Sequence, residues 1–389
     1  MHRTSVILLQ PTVIQTGKLV GLLSAQRELY NAALEERRGS WAWNRTGVTR
    51  LEQYAQLTGW DHPVMAYGVT PARGTLLRLD RAFSGFFRRI KAGDKPGFPR
   101  FKSAPRWDSV EYPDAQSWKV ESSGRTGRLN LQGIGNVRYR SSKRGVVGRP
   151  KTLVVKREGR RWRAYIACQV EAADPMPATG RQVGIDLGVE HLMATSEGQL
   201  VDNERHTRRS RERLASAQRL VAGRTRGSAR RRKAGQRVGY LHRRIARQRR
   251  DGLHKLSRSL ISDYDLIVHE DLKIANMTRR PKPMVDSSGG YAPNGATAKA
   301  GLNREILSAG WGVLLGLISY KAAEAGRKVI SVDPRHTSQT CNACGRVDAG
   351  NRDGTEFRCL GCGHADHADI NAARNILRAG LALRLERAA

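Results

Sequence analysis

Val183-Gly184-Ile185-Asp186-Leu187-Gly188 has the apolar run of a buried β-strand, and it ends on an acid followed by a glycine turn. A second apolar strand, Leu266-Ile267-Val268-His269-Glu270, also ends on an acid. A third acid, Asp369, opens a predicted helix near the end of the chain. Two strand ends and a helix start converge only if the strands are neighbours, so these segments together predict an α/β domain in which three acids meet.

Three convergent carboxylates predict a site for divalent cations, because they repel one another unless cations lie between them. Mg²⁺ prefers oxygen ligands, and two such ions would activate water on one side of a phosphodiester and stabilise the leaving oxygen on the other. Taken singly, each acid is more often a helix cap or a solvated strand end than a metal ligand. We assign catalysis and Mg²⁺ binding to Asp186, Glu270 and Asp369 rather than to the adjacent acids Asp271 and Asp366.

The cysteines predict a second, structural metal site. Cys341-Asn342-Ala343-Cys344 and Cys359-Leu360-Gly361-Cys362 form two CxxC knuckles, and four thiolates in that pattern favour tetrahedral Zn²⁺. Redox chemistry is the alternative, but a redox CxxC needs no second pair. A closed site of Cys341, Cys344, Cys359 and Cys362 folds a segment and leaves no position open for catalysis. Cys168 stands apart and is interpreted as a small buried hydrophobe.

The charge balance points to a polyanionic partner. The 389 residues include 69 Lys and Arg against 35 Asp and Glu, a formal net charge of +34. Neutralising phosphates releases counterions, so nucleic acid fits such a chain well. A membrane surface is the alternative; however, no apolar run of the roughly 18 residues that a spanning helix needs is evident, and the N-terminus carries no secretory signal. We therefore expect a cytoplasmic protein with no membrane partner.

The basic residues are concentrated in a few segments. Residues 205–258 hold 20 Lys and Arg against two acids, and the loop 96–102 is both basic and aromatic. A solvated helix face would show the same composition, so direct nucleic-acid contact is a hypothesis for each residue. The candidate contacts are Arg100, Lys102, Arg230, Arg231, Arg232, Lys233, Arg243, Arg244, Arg247, Arg249 and Arg250.

The rest of the chain divides by pattern. An alternating strand at 1–10 precedes amphipathic helices at about 18–38 and 71–90, the second with Thr70 as its predicted N-cap. Short alternating strands separated by Gly and Ser fill 105–172 and predict a small β-barrel. A linker at 174–177 and a polar loop at 279–301 separate the later segments.

The combined motifs resemble the TnpB proteins of bacterial insertion sequences. The resemblance rests on Gly184-Ile185-Asp186-Leu187-Gly188, Val268-His269-Glu270-Asp271-Leu272, Thr337 to Gly345 and Asp369-Ile370-Asn371-Ala372-Ala373, in that order. It implies a mixed α/β and β multidomain chain. A wedge β-barrel (1–10 and 105–175) would carry an inserted helical recognition lobe (11–104). An RNase H-like RuvC nuclease domain (176–389) would follow, with an inserted zinc ribbon (336–366).

The resemblance also implies an activity, namely RNA-guided, Mg²⁺-dependent cleavage of double-stranded DNA beside a short flanking motif. The guide RNA comes from this resemblance alone. Many members carry Asp-Arg before the last acid, where this chain has His367-Ala368, a difference that bears on rate and cation preference. The alternatives are a compact type V CRISPR effector, a cleavage-deficient guided repressor, a DNA-joining transposase and an unguided junction resolvase. The three acids argue against the repressor, and no tyrosine nucleophile or joining domain supports the transposase.

Overall fold

A computed structural model of the chain describes residues 2–57, 62–141, 145–171, 174–285 and 287–386. Met1, at the start of the predicted first strand, and residues 172–173, just before the predicted linker, lie outside the described residues. The chain forms two compact units, Met1–Ala172 and Ala173–Ala389.

The first unit combines three α-helices with one sheet. Its elements are β1 (His2–Gln10), α1 (Val13–Asn44), α2 (Arg50–Gln56), α3 (Val69–Lys91), β2 (Ser109–Tyr112), β3 (Trp118–Ser123), β4 (Thr126–Leu131), β5 (Gly135–Ser141), β6 (Arg149–Glu158) and β7 (Arg161–Gln169). The sheet has the order β2-β6-β7-β1-β5-β4-β3, and every pairing in it is antiparallel. The three helices are therefore inserted between β1 and the strands β5 and β7 with which β1 pairs.

This sheet is a half-barrel, an open form of the small β-barrel expected from the strand spacing. Strands β2 and β3 stand at its two ends, and no pairing joins them within the described residues. Alternation along β7 puts Trp162, Ala164, Ile166 and Cys168 on the buried face, as period-two side-chain geometry requires. Cys168 is fully buried, in agreement with its interpretation as a core residue.

The helices of the first unit pack through small and aliphatic side chains. Helix α1 begins with a capping box in which Thr12 and Gln15 satisfy each other's backbone N–H groups. Helix α3 approaches β2 so closely at Gly74 that an added Cβ would stand 2.1 Å from the Glu111 carbonyl oxygen. Thr70, the predicted N-cap, instead lies inside α3; it is fully buried, and its hydroxyl donates to Asp114.

The second unit surrounds a five-stranded sheet with helices. Its elements are β8 (Gln182–Asp186), β9 (His191–Thr195), β10 (Leu200–Asp202), α4 (His206–Arg209), α5 (Arg211–Ala222), α6 (Ala229–Asp263), β11 (Leu266–Glu270), α7 (Ile274–Met277), β12 (Met284–Val285), β13 (Tyr291–Ala292), α8 (Ala296–Ala309), α9 (Trp311–Ala325), β14 (Lys328–Val332), β15 (Arg352–Asp353), β16 (Glu356–Arg358), β17 (Ala365–His367) and α10 (Ala368–Glu386). The sheet order is β10-β9-β8-β11-β14, with β8, β11 and β14 parallel.

One apolar stretch of this unit corrects the expectation that no such run exists. Within Ala296–Ala325, an 18-residue window reaches a mean hydropathy of 1.4, so by length and composition alone the stretch is apolar enough to cross a bilayer. It is broken into α8 and α9 at Gly310, which adopts a left-handed conformation with φ 80°. Leu314, Leu317 and Ile318 pack into the core beside α6. The structure therefore uses α9 as a core helix.

Candidate active site and metal centre

Two of the predicted acids end neighbouring parallel strands. Strands β8 and β11 pair in a register that sets Ile185 opposite His269, so the next residues, Asp186 and Glu270, follow at the same edge of the sheet. Adjacent strands lie about 4.8 Å apart. The sheet topology thus brings two carboxylates from segments 84 positions apart to one place.

Helix α10 brings the third acid to this edge. It packs on β8 at Gly184, where an added Cβ would stand 2.2 Å from the Ala373 carbonyl oxygen. Only a glycine permits this approach, because any side chain at 184 would collide with the helix backbone. Asp369 lies in the first turn of α10, and its Oδ2 is 3.7 Å from the position that a Cβ on Gly188 would occupy. Both glycines of the Gly-Ile-Asp-Leu-Gly string therefore lie against α10 or its first acid.

The electrostatics of this edge are those of an acid cluster. Burial, followed by the negative charges of Glu270 and Asp369, raises the pKa of Asp186 to about 7. Burial also raises the pKa of Glu270, although the hydrogen bond from Thr337 and the positive charge of Arg352 lower it in part. Such shifts arise when carboxylates share a poorly solvated site. A divalent cation would relieve the repulsion, and the all-oxygen donor set fits Mg²⁺.

Arg352 is a neighbour of the cluster that sequence reasoning missed. Its Nη2 lies 2.8 Å from Oδ1 of Asp369, and its charge lowers the pKa of both Asp186 and Glu270. The residue lies in β15, between the two CxxC knuckles, where it is one of 69 basic residues in the chain. Nothing in its local sequence distinguishes it; its position depends on how the cysteine segment docks.

Polar side chains fasten the cysteine segment to this edge. The hydroxyl of Thr337 donates to Oε1 of Glu270. Asn371, which is fully buried in α10, accepts from the backbone N–H of Asn342 at 2.9 Å and donates to the Thr340 carbonyl at 2.9 Å. Asn375, one turn later, donates to the carbonyls of Thr337 and Thr340. Asn371 and Asn375 of α10 therefore hold the first knuckle in place.

The four predicted zinc ligands form a compact cluster. The sulfurs of Cys341, Cys344, Cys359 and Cys362 all lie within 4.8 Å of one another, with Cys341 3.8 Å from Cys362 and Cys344 3.6 Å from Cys359. All four cysteines are free rather than disulfide-bonded. Among the described residues, this is the one group of histidines, cysteines and acids that is close enough to hold a metal ion as it stands. The soft four-sulfur donor set fits Zn²⁺.

Local backbone geometry makes each knuckle. Gly345 and Gly363 adopt φ values of 80° and 74°, and their N–H groups bond back to the carbonyls of Cys341 and Cys359. Glycine takes this left-handed conformation without steric cost. The N–H groups of Cys362 and Gly361 also point at the sulfur of Cys359 and lower the pKa of that thiol to about 6, which favours the thiolate that a metal requires.

The candidate nucleic-acid contacts fall into two kinds. Helix α6 has 35 residues, about 52 Å of helix, and most of its candidate cations are exposed. Three others are engaged within the protein. Arg231 donates to the Arg224 carbonyl, Arg249 donates to the carbonyls of Leu307 and Ser308, and Lys102 lies with its Nζ 5.7 Å from the centre of the Tyr30 ring. The exposed ones are Arg100, Arg230, Arg232, Lys233, Arg244, Arg247 and Arg250. Arg250 also donates to His254, and Arg243 is half-buried.

Comparison with known proteins identifies the family. The family model OrfB_IS605, described as a probable transposase, matches residues 165–280, and the Cas12f1-like TNB domain model matches residues 311–376. InsQ of Escherichia coli (strain K12), which carries the name of an RNA-guided DNA endonuclease, is 34% identical over 314 residues, covering 80% of this chain and 75% of InsQ. The chain belongs to the TnpB (OrfB) family.

Other relatives agree with this assignment. A protein of Streptomyces pristinaespiralis, also named as an RNA-guided DNA endonuclease, is 33% identical over 385 residues, covering 96% of this chain and 88% of that protein. Among solved structures, CasPhi-2 (Cas12j) bound to crRNA aligns with a TM-score of 0.53 at 11% identity and covers 98% of each chain. This chain of the TnpB family therefore shares the mixed α/β fold of that effector.

Proposed function

We propose that this protein is an RNA-guided, Mg²⁺-dependent endonuclease of double-stranded DNA, encoded by an insertion sequence and active in the cytoplasm. The observation that carries the proposal is the acid cluster of Asp186, Glu270 and Asp369 at one edge of the sheet. The relatives support the proposal, because InsQ and the Streptomyces pristinaespiralis protein, which each match most of the chain, are named as RNA-guided DNA endonucleases.

The proposal gives each unit a role. The second unit would be an RNase H-like RuvC nuclease domain at 176–389, with the zinc ribbon at 336–366. The first unit would supply the wedge, formed by 1–10 and 105–175, and the helical recognition lobe at 11–104. The pairing of β1 with β5 and β7 supports this division, because these strands follow α1–α3 in the sequence.

Within the proposed site, the three carboxylates would hold two Mg²⁺ ions. Bound Mg²⁺ would activate a water and stabilise the leaving oxygen of the scissile phosphodiester. Asp186 and Glu270 are fixed by their strands, and Asp369 is fixed by the glycine-mediated packing of α10 on β8. The four-cysteine Zn²⁺ site would keep the ribbon folded, so that Thr337 and Arg352 remain beside the acids.

The exposed cations of α6 are proposed to bind the phosphates of guide RNA or target DNA. If they do, replacing Arg230, Arg232 and Arg244 by Gln lowers affinity, and the slope of log K against log salt falls by about 0.9 for each contact to duplex phosphate lost. Arg249→Gln is the matched control. Because Arg249 donates to backbone carbonyls inside the unit, its loss should affect stability rather than the salt slope. Equal slopes for the triple variant and the wild type would remove α6 from the binding surface.

The decisive experiment compares the wild-type protein with Asp186→Ala, each assembled with the RNA that copurifies with the wild type. The wild type should cut DNA that matches the RNA only when Mg²⁺ is present, whereas the variant should bind the same DNA without cutting it. Cleavage by the pure variant would refute the proposal.

A compact type V CRISPR effector is the second candidate, favoured by the match of residues 311–376 to the Cas12f1-like TNB domain. Sequencing the copurified RNA separates the two. RNA that carries transposon-end sequence supports the insertion-sequence protein, and repeat-derived RNA supports the effector.

A cleavage-deficient guided repressor would bind without cutting even with all three acids intact.

A further inference from the structure

A cavity in the first unit is lined by none of the predicted catalytic acids and by none of the cysteines. It has a volume of about 770 Å³ and opens between α1, the segment that leads into α2, α3 and the loop after α3. Sites for small organic ligands have volumes of roughly 300–1,000 Å³. The cavity is therefore large enough for a ligand of the size of a nucleotide.

Aromatic rings line much of this cavity. Trp41, Phe87 and Phe98 keep 57%, 60% and 46% of their surfaces exposed. Phe98 meets Phe83 and Phe86 edge-on, with ring centres 5.6 and 5.2 Å apart. The rings thus hold one another in position while remaining accessible, which makes them a pre-formed stacking surface. A fold that needed these rings only for its core would bury them.

Guanidinium groups accompany the rings. Arg37 lines the cavity with its side chain only 8% exposed, and its buried Nη2 has no hydrogen-bond acceptor among the described residues; the same holds for Nε of Arg50. Asp80 is the only acid among the described lining residues, and it lies 3.5 Å from the nearest nitrogen of each arginine. Leaving buried donors unpaired is unfavourable. The guanidinium group of Arg37 lies 5.3 Å from the centre of the Phe83 ring, and that of Arg50 lies 5.6 Å from the centre of the Tyr54 ring. The lining therefore combines positive charge with aromatic rings.

We propose that this cavity binds one unstacked nucleobase, together with its phosphate, from single-stranded nucleic acid. The base would stack on Trp41 or Phe87, as bases stack on aromatic side chains in single-strand binders. Its acceptor atoms or its phosphate would meet Arg37 and Arg50. An apolar peptide would cover the rings but leave these donors unpaired, and three lining arginines against one aspartate favour an anionic ligand. The inference rests on the proposed function only in requiring that the chain bind nucleic acid; it does not require cleavage.

The test uses the full-length protein freed of nucleic acid, with short single-stranded RNA and DNA oligonucleotides that each carry one 5-iodouracil. Irradiation should crosslink the base to Trp41 or Phe87, as located by mass spectrometry. Comparing the crosslinking yield of the RNA oligonucleotide with that of the DNA oligonucleotide shows which nucleic acid supplies the base. Trp41→Ala/Phe87→Ala should weaken binding of the preferred oligonucleotide about 5- to 150-fold, the range that corresponds to the loss of base stacking. Trp41→Phe, which keeps a ring at this position, should retain binding.

Trp43→Ala is the matched control. Trp43 lies in the same helix and is 86% exposed, but it does not line the cavity, so its loss should change affinity less than twofold. Equal affinities of the double variant and this control, or crosslinks confined to residues outside the cavity, would overturn the proposal. It would also fail if the double variant lost binding of an apolar peptide while its oligonucleotide binding stayed unchanged. Mg²⁺-dependent cleavage, measured on the same protein reassembled with the RNA that copurifies with it, separates the two hypotheses. Crosslinking in the cavity without cleavage refutes the nuclease and supports the cavity, and the reverse refutes the cavity alone.

Discussion

The four-cysteine cluster and the three-carboxylate edge are both proposed metal sites, but they are built in different ways. The cysteine sulfurs already lie within 4.8 Å of one another, whereas the carboxylates are engaged separately, Glu270 by Thr337 and Asp369 by Arg352. Each cysteine pair is set by a local turn that ends in a left-handed glycine. The acids are set by strand pairing and helix packing over long distances in the sequence.

This difference shows how the two kinds of ligand behave before a metal binds. The cysteine sulfurs lie close together, and backbone N–H groups stabilise the thiolate of Cys359, so the cysteine site is preorganised. Carboxylates repel one another, and Asp186 accordingly has its pKa raised to about 7. A guanidinium and a hydroxyl hold the other two acids instead. We therefore expect the cysteine metal to contribute to folding and the carboxylate metals to bind reversibly.

The largest expected effect comes from removing the cysteine site. Cys341→Ser/Cys344→Ser should eliminate one equivalent of zinc and unfold the ribbon, because zinc binding by small metal-folded domains contributes on the order of 10 kcal/mol. Elemental analysis and limited proteolysis of 336–366 provide the measurement. Cys168→Ser should leave the zinc content unchanged, since that residue lies in the half-barrel core. An undiminished zinc content in the double variant would contradict the ribbon.

The next largest effect is expected at Glu270, the acid at the end of β11, and not at the adjacent Asp271. Glu270→Gln should lower the cleavage rate by about 10³-fold, the equivalent of several kcal/mol of metal-assisted stabilisation. Asp271→Asn is the matched control, because Asp271 is half-exposed and pairs with Lys273 rather than with the cluster. Single-turnover cleavage at saturating Mg²⁺ provides the measurement. If both variants lost cleavage rate equally, the assignment of Glu270 rather than Asp271 to the site would be wrong.

A third effect follows from the raised pKa of Asp186. In Mg²⁺-free buffer the folded-state pKa of about 7 exceeds the unfolded value of about 3.9. The folded state therefore binds more protons between these values, and the stability that this group contributes is fully present below about pH 4 and lost as the pH rises through 7. The Tm difference between wild type and Asp186→Asn should thus shift by several degrees between pH 5 and pH 8. A difference independent of pH would contradict the acid cluster, and added Mg²⁺ should reduce the dependence.

The smallest effect concerns Arg352. If its guanidinium competes with Mg²⁺ for Asp369, Arg352→Gln should lower the Mg²⁺ concentration for half-maximal cleavage by up to about fivefold, the magnitude expected for a partly exposed ion pair. Arg358→Gln, an exposed change in the same ribbon, is the control. A lower rate at saturating Mg²⁺ with an unchanged Mg²⁺ requirement would instead assign Arg352 to the substrate.

Particular residues show how far the sequence could lead. The four cysteines were predicted by spacing alone, since a CxxC knuckle is a local structure, and the structure confirms that their sulfurs converge. The three acids were singled out by strand ends and by family resemblance; their catalytic role stays a prediction. Lys102 was predicted as a nucleic-acid contact from its basic, aromatic loop, and this stays a prediction. Only the tertiary structure shows that its backbone N–H and carbonyl are hydrogen-bonded to the Asn31 side chain and that its ammonium group lies near Tyr30.

By itself, the sequence determined what depends on nearby residues: the knuckles, the buried strands, the excess of cations and the family. Tertiary structure alone decided what depends on distant segments. It left the expected barrel open as a half-barrel, packed an apolar stretch into the core as a helix, and placed Arg352 beside Asp369. It also brought rings and arginines together around one cavity. The physical reason is that local turns are fixed by backbone conformation within a few residues, whereas a contact between distant segments exists only after the sheet and the helices have packed.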